Sequence, residues 1–234
     1  MNQEKTRILW SGVTGRTGTE ARELCKQRDD VEIVAGICRS GGPYYTYDEL
    51  DNIKEDFDVI VDFSHAESYD KVLDFAIKTG KPIVIGTSGL SDEQLKRFED
   101  ASYTIPVFRG GNFRYEVKKF IDDVVEYAKT CPEDKLELVE THYKTKKIPS
   151  ETAKVVAKKV FDATGKEVII KSFLEYDDLI NDWRVGDFHC RVVGFTELAN
   201  DVLNIAKMMK DKTPDGVYDL DRVLAEEIQK KTLN

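Results

Sequence analysis

The chain has 234 residues, 41% of them hydrophobic and 34% charged, with a formal net charge of −9. That length suits one large domain or two modest ones, and the acidic balance argues against general nucleic-acid binding, which needs a basic face to displace phosphate counterions. No apolar run approaches the roughly 18 residues of a membrane span. The first residues lack the apolar stretch of a signal peptide, so a cytoplasmic location and no membrane partner are expected.

The first half alternates strand and helix patterns. Ile8-Leu9-Trp10 reads as a short buried strand, and Ala21, Leu24 and Cys25 fall on one face of the helix that follows. Val31–Ile37, Val59–Val61, Ile83–Ile85 and Ile105–Phe108 read as further strands, separated by the helical rows Val72, Leu73, Ala76, Ile77 and Leu95, Phe98. Ser91 with Gln94 three residues on predicts a capping box. Short continuous apolar strands between amphipathic helices predict a parallel sheet covered on both faces, an α/β fold of Rossmann-like type.

After about Asn112 the pattern changes. Val117, Phe120, Ile121, Val124, Val125 and Ala128 form a long helical stripe, and Leu136 and Leu138 alternate with charged residues. A helix is expected after Pro149, then antiparallel strands over 168–174 and 185–193. A last helix carries Leu198, Val202, Leu203, Ala206 and Met209. The expected organisation is a dinucleotide-binding domain over 1–112, completed by a C-terminal helix in 195–234. Residues 113–194 form a smaller α+β domain for substrate binding and oligomerisation.

Between the first strand and helix lies Gly12-Val13-Thr14-Gly15-Arg16-Thr17-Gly18. Glycines there let the backbone turn tightly and approach a pyrophosphate, whose charge is met by the helix N-terminal N–H groups. The spacing is GxxGxxG, and the alternative is a glycine turn without a ligand. At the end of the second strand stand Cys38 and Arg39 where NAD enzymes usually place a carboxylate, so an arginine pairing with the 2′-phosphate of NADPH is favoured over NADH. A plain solvated loop is the alternative for Arg39.

Residues 140–153, Glu-Thr-His-Tyr-Lys-Thr-Lys-Lys-Ile-Pro-Ser-Glu-Thr-Ala, run from a strand end to a helix start. Three lysines and a helix N-terminus attract an anion, above all a carboxylate. His142 exchanges protons near neutral pH and Lys146 is a cationic donor. A solvated basic loop is the competing reading.

Taken in order, the glycine loop with Arg16, Asp62-Phe63-Ser64, Gly86-Thr87-Ser88-Gly89, Asn112-Phe113, Glu140-Thr141-His142 and Pro149-Ser150-Glu151-Thr152-Ala153 resemble dihydrodipicolinate reductase, also called 4-hydroxy-tetrahydrodipicolinate reductase. The resemblance implies a homotetrameric enzyme of diaminopimelate and lysine biosynthesis that reduces a cyclic, imine-like dicarboxylate with NADPH or NADH. It places the pyrophosphate on Gly12 to Thr17 and the nicotinamide beside Gly86, Thr87, Ser88, Gly110, Gly111, Asn112 and Phe113. It makes His142 and Lys146 the catalytic pair. Tyr143, Ser150, Glu151 and Thr152 fall on its substrate-binding positions. Tyr143 stands where the family has a second histidine, and Glu151 where it has glycine. Cys25, Cys38, Cys131 and Cys190 are expected as free thiols, and the spacing of His65, His142 and His189 predicts no metal site. The alternatives are a related reductase of another anionic imine or oxo acid, or a non-catalytic cofactor-binding paralogue.

Overall fold

A computed structural model describes residues 5–110 and 113–232. The chain divides into two compact units: residues 1–113 with 195–234, and residues 114–194.

In the first unit, β1 (Thr6–Ser11), β2 (Val31–Ile37), β3 (Val59–Asp62), β4 (Ile83–Ile85), β5 (Val107–Arg109) and β10 (Val217–Tyr218) form one sheet in the order β10-β5-β4-β3-β1-β2. All of its pairings are parallel. Successive side chains of a strand point to opposite faces, and here each face has its own core. Ile8, Trp10, Val59, Val61, Val84 and Phe108 pack with α1 (Arg16–Cys25), α6 (Thr196–Met209) and α7 (Leu220–Thr232). Leu9, Ile60, Ile83, Ile85 and Val107 pack with α2 (Ala66–Thr79) and α3 (Asp92–Ala101). This double burial is why these strands read as unbroken apolar runs. β1 lies between β2 and β3, so the chain reverses its direction of travel across the sheet at the C-terminal ends of β1 and β3. A crevice there is where open α/β sheets hold ligands.

The predicted capping box at α3 is present, with Ser91 Oγ accepting from the Gln94 N–H and Gln94 Oε1 accepting from the Ser91 N–H. Phe113 belongs to the first unit because its ring packs on Phe63 and Phe108, with centroids 5.2 and 5.4 Å away. The C-terminal segment departs from a single helix. Thr213-Pro214-Asp215-Gly216 separates α6 from β10, since Pro214 lacks an N–H and Gly216 turns with φ +81°.

The second unit holds α4 (Tyr115–Thr130), β6 (Lys135–Tyr143), α5 (Glu151–Thr164), β7 (Glu167–Tyr176), β8 (Ile180–Val185) and β9 (Phe188–Val193). Its sheet runs β7-β6-β8-β9. Two expectations change here. β7 pairs with β6 in parallel, because α5 carries the chain back across the sheet before the strand begins. The stretch 185–193 is the end of β8 and all of β9, which are antiparallel and joined by a turn at Gly186 with φ +54°. Leu136, Leu138, Trp183, Val185, Cys190 and Val192 face a core shared with α4 and α5. The opposite face leaves Ile169, Phe173 and Val193 exposed. No helix among the described residues is long and apolar enough to cross a membrane.

Candidate functional site

The loop after β1 is shaped by close backbone approach. Gly12 has φ +78°, and a Cβ there would sit 2.2 Å from the Phe63 carbonyl oxygen. A Cβ on Gly18 would sit 2.7 Å from the carbonyl oxygens of Gly12 and Val13, so the third glycine lets the helix press against its own loop. Gly15 is the N-cap of α1 and supplies no side-chain cap, and the first turn has no acidic residue. The first N–H groups of a helix lack intrahelical partners, and here they open beside the exposed Thr14 and Arg16. The Arg16 guanidinium lies 4.7 Å from the centroid of the Phe195 ring. An uncapped helix start, free of carboxylates and lined by glycine, fits a pyrophosphate.

The ends of β3 and β4 join beneath this loop. Asp62 is fully buried and accepts from Ser64 Oγ at 2.6 Å and Thr87 Oγ1 at 2.7 Å. Burial pushes its pKa above the ordinary aspartate value, against the opposing effect of the hydroxyls of Ser11, Ser64 and Thr87. A Cβ at Gly86 would meet the Phe63 ring at 2.2 Å, so Gly86 lets that ring lie flat against the chain. Ser88 is exposed and Gly110 half-buried. Gly111 and Asn112 lie outside the described residues. Cys38, at the end of β2, is buried with its thiol 3.4 Å from the Gly41 carbonyl oxygen. Arg39 is exposed beside Glu67, 3.9 Å away. Tyr47 reaches the same strand ends, its hydroxyl 3.4 Å from Ser11 Oγ.

In the second unit, Glu140, His142 and Ser150 converge. His142 is fully buried, its Nε2 2.8 Å from Glu140 Oε2 and its ring edge-on to Trp183 at 5.3 Å between centroids. Glu140 also accepts from the Ser150 N–H at 2.9 Å, the Ser150 hydroxyl and the Ser172 hydroxyl at 2.6 Å. Burial raises this carboxyl's pKa, but the hydrogen bonds from His142, Ser150 and Ser172 outweigh that effect and hold it at about 2. Ser150 caps α5 as expected, accepting from the Ala153 N–H at 3.2 Å and from Trp183 Nε1 at 3.0 Å. A turn closed by the Lys146 N–H on the Tyr143 carbonyl brings Lys146 Nζ 5.8 Å from the centre of the Tyr143 ring. Glu151 is exposed and paired with Lys154 at 2.6 Å, and Thr152 is half-buried.

Sequence reasoning noted Glu140 and Asp62 only as parts of motifs, without a role for either, and passed over Ser172. A signal for Glu140 was there: Leu136, Leu138, Glu140 and His142 share a strand face, and a carboxylate in an apolar inward row needs partners. Trp183 contributes both its buried ring and a hydrogen bond, donated by Nε1 to Ser150 Oγ.

Residues 6–113 match the family described as dihydrodipicolinate reductase, N-terminus. A 4-hydroxy-tetrahydrodipicolinate reductase of Caldanaerobacter subterraneus subsp. tengcongensis is 37% identical over 154 residues, covering 64% of this chain and 61% of that protein. One from Clostridium perfringens is 28% identical over 93% of this chain and 98% of its own length. The first unit therefore resembles this reductase family, and the whole chain aligns with a protein that bears its name. A solved dihydrodipicolinate reductase from Paenisporosarcina sp., with dipicolinate bound, superimposes with a TM-score of 0.69 at 15% identity, covering 92% of this chain and 98% of that one. A myo-inositol dehydrogenase from Corynebacterium glutamicum follows the same fold with a TM-score of 0.57 at 13% identity, over 98% and 96% of the two chains. Likeness to this reductase family implies a nicotinamide cofactor, and the uncapped, glycine-lined start of α1 is compatible with a pyrophosphate.

Proposed function

We propose that this protein reduces 4-hydroxy-tetrahydrodipicolinate in the diaminopimelate–lysine route, with NADPH preferred to NADH, as a cytoplasmic homotetramer. The observation that carries the reading is the match along 98% of a like-named reductase, which spans both units. Gly12 to Thr17 would hold the pyrophosphate of the cofactor, whose nicotinamide would supply the hydride. Cys38 and Arg39 would take the adenosine ribose end, and Gly86, Thr87, Ser88, Gly110 and Phe113 the nicotinamide end, with Gly111 and Asn112 assigned there by the resemblance alone.

His142 and Lys146 serve as acid and cationic donor. Tyr143, Ser150 and the N–H groups of Glu151 and Thr152 hold a substrate carboxylate, where the helix start favours negative charge. The pairing of Glu151 with Lys154 supports this placement, since it partly offsets the acidic side chain. The exposed Ile169, Phe173 and Val193 on the uncovered sheet face support self-association.

The test is NADPH oxidation with freshly generated product of dihydrodipicolinate synthase, with NADH in parallel. His142→Ala and Lys146→Ala should each lower turnover by roughly 10²–10⁴ while cofactor binding survives. Near-native turnover in both variants would overturn the assignment. No turnover by a protein that still binds NADPH would favour another anionic imine or oxo acid, or a non-catalytic role. The full burial of His142 and the acidic Glu151 point toward that second reading.

A further inference from the structure

Glu140 and His142 stand two residues apart on β6, and both side chains leave the strand on its buried face. The hydrogen bonds around them fix where the protons are. Ser150 Oγ accepts from the Ala153 N–H and from Trp183 Nε1, which uses both lone pairs, so its own proton goes to Glu140 Oε2. The Ser150 N–H and the Ser172 hydroxyl serve Oε1. A carboxylate supplied in this way only accepts, so His142 Nε2 carries a proton and donates it to Oε2. Nδ1 is buried and has no hydrogen-bond partner among the described residues. In the sheet His142 stands opposite Leu174 of β7 and Asn181 of β8, and its ring lies edge-on to Trp183. Glu140 supplies the charge.

We propose that Glu140 is a positioning residue that locks His142 in its Nε2–H form, making Nδ1 the atom that takes up and releases the proton. Through Ser150 the same carboxylate ties the imidazole to the first turn of α5. The use of that proton rests on the proposed reductase activity. The imidazolium gives up its Nδ1 proton to the substrate atom that holds the electron pair after hydride addition, returns to neutral Nε2–H, and is reloaded from water. A carboxylate behind an imidazole fixes the tautomer and stabilises the cation, as it does for other general acid–base histidines.

The decisive measurement is long-range ¹H–¹⁵N NMR of the imidazoles in the full chain. The protein has three histidines, and His65→Gln and His189→Gln assign the His142 signals. The expected neutral form is Nε2–H. An Nδ1–H form overturns the proposal whether or not the protein turns over substrate. Nε2–H in a protein without reductase activity upholds the tautomer and refutes the activity, so the two failures are separable. Glu140→Gln keeps the shape and removes the charge. It should lower kcat about 10- to 100-fold, leave KM for the cofactor unchanged, and move the acid-requiring limb of the pH profile to lower pH. A folded Glu140→Gln protein with that limb unmoved would overturn the proposal. Should the variant fail to fold, the tautomer in the wild-type chain decides.

Discussion

The position that a Cβ would take at Gly12 lies 2.2 Å from the carbonyl oxygen of Phe63, so the loop after β1 and the end of β3 touch through a missing side chain. Gly12→Ala therefore meets two penalties, a left-handed backbone and a collision with immovable main chain. Chemical denaturation should show a loss of about 2–4 kcal/mol. Gly15 has an ordinary φ of −70°, and its Cβ would meet only the Gly12 carbonyl, at 3.1 Å. Gly15→Ala should cost less than about 1 kcal/mol in stability, yet weaken NADPH binding in titration. Equal stability losses in the two variants would refute this account of the loop.

Asp62 gives a pH signature. Its folded pKa lies above the unfolded value because burial penalises the charge. The native state then holds the proton more tightly, and stability from this group is present below the unfolded pKa and lost as pH rises through the folded one. Asp62→Asn, which keeps the shape without the charge, should be at least as stable as wild type at pH 7. That advantage should vanish toward pH 4. Denaturation midpoints measured from pH 4 to 8 check it, and a variant less stable at pH 7 than at pH 4, relative to wild type, would contradict it.

Ser91 and Ser150 both cap helices, but they differ in what else depends on them. Ser91 is exposed, and Ser91→Ala should cost about 1 kcal/mol. Ser150→Ala also strands Trp183 Nε1 and removes a donor from buried Glu140, so a loss of about 3–5 kcal/mol is expected. Thermal melts of the two variants should differ accordingly; matching melts would mean that the buried network contributes nothing beyond the cap.

Arg39 stands beside Glu67, whose charge opposes any recruitment of a phosphate. Arg39→Ala should weaken NADPH more than NADH, and Glu67→Gln should favour NADPH modestly. Parallel titrations with both cofactors read the ratio, and an unchanged ratio in Arg39→Ala removes this residue from cofactor selection.

Much of the first unit was legible because its strands are buried on both sides. Residues such as Val59, Ile60 and Val61 feed two cores, which leaves a continuous apolar run bounded by turns. Val31–Ile37 is marked at both ends in the same way. β10 was not legible, since two residues, Val217 and Tyr218, carry no periodicity and owe their place to pairing with Val107 and Phe108. The direction of β7 was hidden for a related reason: alternation reports which face is wet, not which way the neighbouring strand runs. In the candidate site, motif order pointed to His142, Lys146 and Ser150. The role of Glu140 depends on Ser172 and Trp183, which lie 32 and 33 positions from the partners they bond, and no local pattern links them.

The split of the first unit around the second has a consequence for synthesis. Residues 114–194 are an uninterrupted stretch and have their whole core in hand once they leave the ribosome. The first 113 residues do not: Ile8, Trp10, Val59, Val61, Val84 and Phe108 await Ala199, Val202, Leu203, Ile205, Ala206 and Met209 of α6 to cover their face. The part of the nascent chain made first is therefore completed last, and until α6 and α7 emerge one face of its sheet is covered by α1 alone and stays partly exposed, the kind of surface that chaperones bind and that aggregation begins from.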